Sequence, residues 1–447
     1  MTNRSLASGN IPKGILYFMI PVVASSLIQQ LYSTVDLIIV GQYLGTQSSA
    51  AIGASNLIVT CLVGFFTGMS VGTGVITSHA FGENNESKLK KIISTSFIFG
   101  VVGGIALMII GVVLATTFLR IMNTPETILK ISSKYLRIYM LSMVPIVVYN
   151  LSSGIVRSIG DSKTPMMLQI YGGIINVIAD IIFIVILKMG VEGAAMATFL
   201  SQTLVSILIV IYLKKLNPEI ALNIKSLIFD KSILKSILQI GIPAGIQSIA
   251  ITLSNIIIQA NINSFGIDAI AAFTAYFKIE LILYIPIVAL GQSVIVFIGQ
   301  NIGARQFKRA NIGLKYCIAG GIIATGVGSF ILLLFDKQLF SIFSRNLNVI
   351  LLGANIVNIT FPFYFLYVIL ECMGAAIRGM GKSIQPMLII ILSFCGFRII
   401  ILIELLKQWN DIRSIAYTYP ISWAMASLLM IIYYFVIRMD KTMNIDK

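Results

Sequence analysis

Charged and polar side chains inside long apolar runs are the residues of this sequence best placed to do chemistry. Asp36 and Asp180 each interrupt such a run, and Asn176 precedes Asp180 by one helical turn. A carboxylate inside a membrane-spanning helix costs about 3 kcal/mol even on lenient insertion scales, so it normally faces a cavity or a partner. With a rise of about 1.5 Å per residue, Asp36, Asp180 and Thr198 reach similar depths in the outer half of a membrane. These four side chains predict a site for a hard cation or a proton.

Four further charges fall near mid-membrane in the second half of the chain: Lys278, Glu280, Glu371 and Arg398. Lys278 and Glu280 are two residues apart and cannot face each other on a helix. From their similar depth in the membrane, we expect Glu280 to pair with Arg398, and Lys278 to pair with Glu371. The sequence leaves two interpretations open, which are a structural network of ion pairs and the attraction of a cationic substrate by Glu280 or Glu371.

Long apolar helices must carry these side chains. The 447 residues are 57% hydrophobic and 11% charged, with a mean hydropathy of +0.95, which is far from the composition of a soluble protein. Crossing about 30 Å of hydrocarbon takes roughly 20 helical residues, and twelve runs of this sequence are of that order. The sequence therefore predicts an all-α polytopic membrane protein. The predicted spans are residues 15–40, 50–78, 92–118, 135–157, 165–187, 192–213, 237–262, 268–299, 310–333, 350–377, 385–405 and 413–437.

A motif that recurs 221 residues later divides these spans into two sets of six. Arg157, Gly160, Ser162, Pro165 and Met166 return with the same spacing as Arg378, Gly381, Ser383, Pro386 and Met387. An even number of spans brings both repeats in from the same side of the membrane, as in carriers built from parallel repeats. We expect an N-terminal lobe over 1–213, a cytoplasmic linker over 214–235 and a C-terminal lobe over 236–447.

The two halves differ at the site residues. At the 221-residue offset, the counterparts of Asp36, Asn176, Asp180 and Thr198 are Ile257, Phe397, Ile401 and Tyr419. A symmetric structural role would more easily survive in both halves. The asymmetry therefore favours ion coupling in the first half alone.

The formal net charge of +15 is interpreted as a sign of membrane topology. With the N-terminus inside, Lys and Arg are concentrated in the segments that would face the cytoplasm, in keeping with the positive-inside rule. We expect a multi-pass protein of the cell's inner (plasma) membrane with both termini cytoplasmic and no nucleic-acid partner. The first apolar run is too long and too polar for a cleaved signal, so it is expected to remain as a helix.

Motifs for other chemistries are incomplete. The stretch Gly379-Met380-Gly381-Lys382-Ser383 ends like a phosphate-binding loop, but Ala376 stands where that loop needs glycine. His79 is the single histidine, and an imidazole metal site needs partners. We predict no enzymatic activity and no cofactor, so uphill transport would draw on a gradient of Na⁺ or H⁺.

Three other residues have expected structural roles. Arg157 and Arg378 are expected to cap helix ends or to contact lipid headgroups. Pro21 lies in the first helix, where a missing backbone N–H would permit a bend. Pro21 is therefore a candidate hinge.

The stretch from Val35 to Gly41, the loop after Gly82 and the duplicated Arg-x-x-Gly-x-Ser-x-x-Pro loops resemble the multidrug and toxic compound extrusion (MATE) family over nearly the whole chain. The resemblance implies two six-helix bundles around a V-shaped cavity, and efflux of drugs in exchange for Na⁺ or H⁺. It also implies roles for single residues, which are a cation-linked site at Asp36, Asn176, Asp180 and Thr198, a bend at Pro21 and a drug contact at Gln29. One branch of the family carries an essential glutamate on helix 7 that this chain lacks.

We therefore expect a monomeric antiporter of cationic or amphipathic small molecules that works by alternating access. Gln29, Asn176, Glu280 and Glu371 are the candidate substrate contacts. The nearest alternative is a flippase for lipid-linked saccharides, for which a more strongly cationic cavity would be expected. A membrane-embedded transferase is a second alternative, and it would need clustered catalytic carboxylates or histidines.

Overall fold

The computed structural model describes residues 5–409 and 411–437, and within these ranges all regular structure is helical. The helices are α1 (Ile11–Gly82), α2 (Glu86–Ile121), α3 (Glu126–Leu141), α4 (Met143–Ser158), α5 (Lys163–Asp180), α6 (Val191–Lys214), α7 (Lys231–Ser264), α8 (Ile267–Gly303), α9 (Phe307–Leu334), α10 (Asp336–Phe343), α11 (Leu347–Thr360), α12 (Tyr364–Gly379), α13 (Ile384–Ile390), α14 (Arg398–Gln408) and α15 (Ile412–Ile437).

Twelve membrane spans follow from these helices. Ten are long and apolar enough to cross a membrane, and α3 with α4, bent by 45° at their junction, make an eleventh. The 72 residues of α1 would extend about 108 Å as one rod, far more than a bilayer. Gly45, with φ 77° and ψ −179°, breaks α1 into two spans. The predicted all-helical polytopic architecture is confirmed.

The repeat is visible in the backbone as well as in the sequence. Three pairs of residues with positive φ are separated by 221 positions, and each pair lies at matching helix ends or breaks. They are Gly45 and Gly266 (77° and 91°), Asn84 and Arg305 (53° and 57°), and Gly160 and Gly381 (92° and 85°). The two halves are therefore folded alike at their turns.

Two compact units contain the helices. The first unit covers Ile20–Gly245, and the second unit covers Leu6–Met19 with the described residues from Ile246 onward. Two helices are consequently shared, since α1 begins in the second unit and α7 begins in the first. Pro21 lies beside the change of unit in α1, and Pro243 lies beside the change in α7.

Small residues hold the first part of α7 against α1 in the first unit. A Cβ atom on Gly68 would overlap the backbone of Gly245, and one on Gly72 would overlap the backbone of Ile237. Close backbone contact at small residues is a common means of packing helices in lipid.

Side chains of α8 and α9 hold the N-terminal segment in the second unit. Gln300 accepts from the backbone N–H of Leu6 at 2.8 Å, in a buried position. Arg309 donates to the carbonyls of Ser8 and Gly9, both at 2.9 Å. The start of α1 is thereby fixed to the second unit.

In the residues that the structure describes, each half contains one π-helical stretch, but not at the same place. In the first half it follows α5 and covers Ile181–Ile186, whereas in the second half it precedes α14 and covers Ile391–Phe397. A π-helical turn takes up about one extra residue. Between the two positions the spatial counterparts are therefore 222 residues apart, not 221. Arg398 and Leu402, rather than Phe397 and Ile401, correspond to Asn176 and Asp180.

Candidate functional site

Two carboxylates meet inside the first unit. Asp36 lies in the first span of α1, and Asp180 is the last residue of α5. Asp180 is completely buried, and the two carboxyl groups lie within hydrogen-bonding reach of each other. Among the described residues, no hydrogen-bond donor contacts either oxygen of Asp180 or Oδ1 of Asp36. Two adjacent carboxylates, one fully buried and the other half-buried, cannot both remain ionised unless a cation neutralises them, and otherwise they share a proton.

The two other predicted members of the site lie on two helices that pack together, α5 and α6. Asn176 is buried, with 4% exposed, one turn before Asp180 on α5. Thr198 lies on α6, which packs along α5, and its hydroxyl donates to the carbonyl of Ala194 at 3.2 Å. The Thr198 oxygen keeps its lone pairs as acceptors. The structure thus brings Asp36 and Asp180 together, with Asn176 one turn before Asp180 on α5 and Thr198 on the adjacent helix α6.

Aromatic residues that the sequence interpretation did not name surround Asp36. Tyr32, one turn before Asp36, accepts from the side-chain amide of Gln169 at 3.2 Å and lies within reach of Gln29. Gly173 leaves room for the Tyr32 ring, because a Cβ there would come within 3.0 Å of it. The available signal was spacing, since Tyr32 precedes Asp36 by four residues.

Two tyrosines of α3 complete the surroundings. Tyr135 and Tyr139 interact electrostatically with Asp36, and their rings lie 6.0 Å apart. A compact apolar cluster supports this part of the first unit. It consists of Ile39, Val40, Tyr135, Ile184, Val191, Ala194 and Ala195.

The second unit encloses Glu280 in aromatic side chains. Its carboxylate accepts hydrogen bonds from the phenols of Tyr276, at 3.3 Å, and of Tyr364. The predicted partner Arg398 attracts Glu280 electrostatically. Within the described residues, however, the two side chains form no direct ion pair, so the predicted pairing is correct in proximity only.

Glu371 forms an ion pair with a buried arginine that depth alone did not predict. Its carboxylate lies 3.0 Å from Arg378, seven residues later on α12. The expected pair of Lys278 with Glu371 is wrong, since Lys278 is exposed. The headgroup role expected of Arg378 is also wrong, because Arg378 is buried and donates to Gln247 at 3.4 Å as well. Gly291 accommodates this pair, since a Cβ there would overlap the Glu371 carboxylate.

The donor atoms indicate which ions could bind. Among the described residues, no three His, Cys, Asp or Glu side chains are grouped so that they could hold a metal ion. The acceptor atoms of the predicted site are all oxygens, and they belong to Asp36, Asn176, Asp180 and Thr198. Such a set suits a hard monovalent cation or a proton better than a transition metal.

Two repeated sets of six spans, with a buried carboxylate pair in one of them, define a membrane carrier of the parallel-repeat class. The MatE family model matches residues 21–182 and 243–403, one match in each half. The chain therefore belongs to the MatE family of transporters. This membership confirms the resemblance and the prediction that the chain is not an enzyme, so the transferase alternative is excluded.

Curated relatives match over most of their length. The "Probable multidrug resistance protein YoeA" of Bacillus subtilis is 28% identical over 425 residues, which are 93% of this chain and 92% of that protein. The "Multidrug export protein MepA" of Staphylococcus saprophyticus is 23% identical over 380 residues, 84% of each chain.

Solved structures show the same fold. An outward-facing multidrug resistance MATE family transporter of the MOP superfamily matches with a TM-score of 0.91 at 21% identity, covering 98% of both chains. A MOP superfamily transporter from Pyrococcus furiosus, described as having a binding pocket of reversed polarity, matches with a TM-score of 0.89 at 21% identity and the same coverage.

Proposed function

We propose that the chain is a secondary active multidrug efflux transporter that exports organic cations or amphipathic drugs in exchange for Na⁺ or H⁺. The observation that carries this proposal is the pair Asp36 and Asp180, whose buried oxygen atoms have no donor in the part of the chain that the structure describes. The names of the relatives YoeA and MepA support the drug substrates.

Exchange follows from the charge of this pair. A cation or proton that enters neutralises the carboxylates, whereas their ion-free form attracts a cationic drug. If ion binding lowers the affinity for drug, drug binding lowers the affinity for the ion by the same factor. A one-for-one exchange of monovalent cations moves no net charge, so a membrane potential would add nothing directly. Alternating access would then expose the site to each side of the membrane in turn.

Four side chains are proposed as substrate contacts: Gln29, Asn176, Glu280 and Glu371. Gln29 is exposed and near Tyr32, and Asn176 borders the carboxylate pair. Glu280 and Glu371 already have local partners, so a substrate would have to compete with tyrosine phenols or with Arg378. Gln29 and Asn176 are therefore the preferred contacts.

The proposal includes a topology and a hinge. We place both termini in the cytoplasm, because Lys and Arg then collect on the inner side. The linker between the repeats is placed there as well. Pro21 is the proposed hinge, since it stands where α1 passes from the second unit into the first. The transporter is proposed to act as a monomer.

Purified protein in lipid vesicles tests the proposal. An imposed Na⁺ or pH gradient should drive accumulation of a fluorescent organic cation, and the gradient that drives it identifies the coupling ion. Asp36→Asn should abolish ion-driven transport, because an amide can neither release a proton nor supply a negative charge. Glu126→Gln is the matched control, since Glu126 is 80% exposed. Transport by Asp36→Asn at the wild-type rate would contradict the proposal.

A further inference from the structure

The offset π-helical stretches place a buried arginine at the position of Asn176. The two halves are in the 221-residue register again after both stretches, since α6 begins at Val191 and α15 at Ile412. Only between the stretches does the register shift by one. The shift sets Arg398 opposite Asn176, and Leu402 opposite Asp180.

Burial supports this alignment independently. Asn176 and Arg398 are 4% and 3% exposed, and Asp180 and Leu402 are 0% and 1% exposed. Phe397 and Ile401, the residues at the plain 221-residue offset, are only partly buried.

A hydrogen bond from α7 reaches the residue whose ring lies beside Arg398. Ser254 donates to the carbonyl of Phe394 at 2.6 Å, in a buried position. In the first unit, Tyr32 of α1 packs on Gly173 of α5 near the carboxylate pair.

The guanidinium of Arg398 is enclosed by groups that stabilise a cation. Its Cζ lies 4.1 Å from the centre of the Phe394 ring and 5.0 Å from that of Tyr419, which is the counterpart of Thr198. Aromatic faces attract cations in this geometry. Its Nε donates to Ser422 at 3.0 Å, and Glu280 supplies the longer-range negative charge. A guanidinium does not lose its proton in a protein, so this charge is permanent.

We infer that Arg398 is a tethered cation of the second unit. Its guanidinium takes the place that an exchangeable Na⁺ or H⁺ takes in the first unit, neutralises Glu280 and confines ion exchange to Asp36 and Asp180. The inference rests on the proposed function, because it takes the aspartate pair as the exchanging site. It explains why the second unit retains an acid enclosed by aromatic side chains without a second exchange site.

Counting the exchangeable cations on the purified protein tests this inference. Binding of radioactive Na⁺ and the release of protons to an indicator dye are measured side by side. Arg398→Met removes the fixed charge while keeping a long apolar side chain, so Glu280 should recruit one cation from solution. The count should rise by one per molecule, and in Arg398→Met/Glu280→Gln it should return to the wild-type value. Arg398→Lys keeps the charge and should keep the wild-type count.

The groups around Glu280 that must be considered in the proton count are Tyr276, Tyr284, Tyr364, Tyr367, Tyr419 and Arg398. The single variant Glu280→Gln provides a second test that leaves Arg398 in place, and it decides the matter if Arg398→Met does not fold. With Arg398 present, Glu280 should hold no exchangeable cation, so Glu280→Gln should bind as many as wild type. A count lower by one in Glu280→Gln, or an unchanged count in folded Arg398→Met, would overturn the inference. Asp36→Asn in the same assay reports separately on the proposed function, since it should lower the count by one.

Discussion

A buried carboxylate without a hydrogen-bond donor needs a proton, a cation or a basic side chain to remain in a membrane interior. Within the described ranges Asp180 has no donor on either oxygen, and the charged group that interacts with it is another acid, Asp36. Glu280 has the guanidinium of Arg398 nearby in addition to its tyrosine phenols, and Glu371 is paired with Arg378. At the residue scale, the aspartate pair is thus the acidic site whose charge is left for an exchangeable ion.

The ion pair of Glu371 with Arg378 should matter for stability. The two side chains are 21% and 8% exposed, so Glu371→Ala leaves a buried guanidinium without its partner. Breaking a buried pair in this way costs about 3–5 kcal/mol. Thermal unfolding of the purified protein should show a markedly lower midpoint for Glu371→Ala.

Glu126 provides the matched comparison for that experiment. It is 80% exposed and 4.0 Å from Arg120, which is 66% exposed, and exposed pairs contribute about 0–1 kcal/mol. Glu126→Ala should therefore unfold close to wild type. Equal unfolding midpoints for the Glu371 and Glu126 variants would show that the Glu371–Arg378 pair contributes no more to stability than the exposed pair.

At the element scale, Arg309 should determine the order of the N-terminal segment. Its donation to Ser8 and Gly9 fixes the backbone just before α1. Loss of charged hydrogen bonds of this type costs about 1.5–3 kcal/mol. Arg309→Ala should speed backbone hydrogen exchange in residues 6–9, as measured by mass spectrometry, whereas the exposed neighbour Lys308→Ala should not. Slow exchange in both variants would mean that the other contacts of the segment are sufficient.

Asp230 should make the start of α7 sensitive to acid. The backbone N–H of Ile233, together with that of Ser232 and with Lys91, holds the pKa of this carboxyl below its ordinary value of 3.8. Since the pKa is lowered by folding, the stabilisation is present above 3.8 and is lost as pH falls through the folded value. Hydrogen exchange at the first turn of α7 should therefore accelerate in acid.

Asp230→Asn removes the carboxylate charge but keeps a side chain that can cap the first turn of α7. An asparagine side chain can accept the same backbone hydrogen bonds but does not titrate in this range. The variant should retain protection of the first turn while losing the additional acid sensitivity. The same acid response in both proteins would assign that response to other groups.

At the scale of the whole molecule, periodicity and composition determine what the sequence can predict. Each span needs roughly 20 apolar residues and the turns need particular backbone angles, so the spans and the 221-residue repeat could be found by inspection. Depth along a helix could also be estimated, and it singled out Asp36 and Asp180. The direction in which a side chain points could not be estimated from the sequence. Lys278 was therefore assigned to Glu371, while Arg378 lies two helical turns along the same face.

The π-helical stretches are the other feature that composition does not encode. One follows α5 and the other precedes α14, and they shift the alignment by one residue at Arg398. Tyr32 was missed for a similar reason, because its position near Asp36 depends on the space left by Gly173. Contacts between helices determine these details.

Movement of the whole molecule should depend on Pro21, because α1 belongs to the second unit up to Met19 and to the first from Ile20. A proline at this point lacks the N–H that would bond to the carbonyl of Tyr17, so bending there breaks one hydrogen bond fewer. Pro21→Ala can restore that bond. If the bond adds about 1 kcal/mol to the barrier for bending, turnover in vesicles should fall about fivefold, while drug affinity at equilibrium changes little. Pro420→Ala is the control, since Pro420 lies in α15 within the second unit. Unchanged turnover in Pro21→Ala would exclude bending at Pro21 as the rate-limiting movement, and an equal loss in Pro420→Ala would assign the effect to general stiffening of helices.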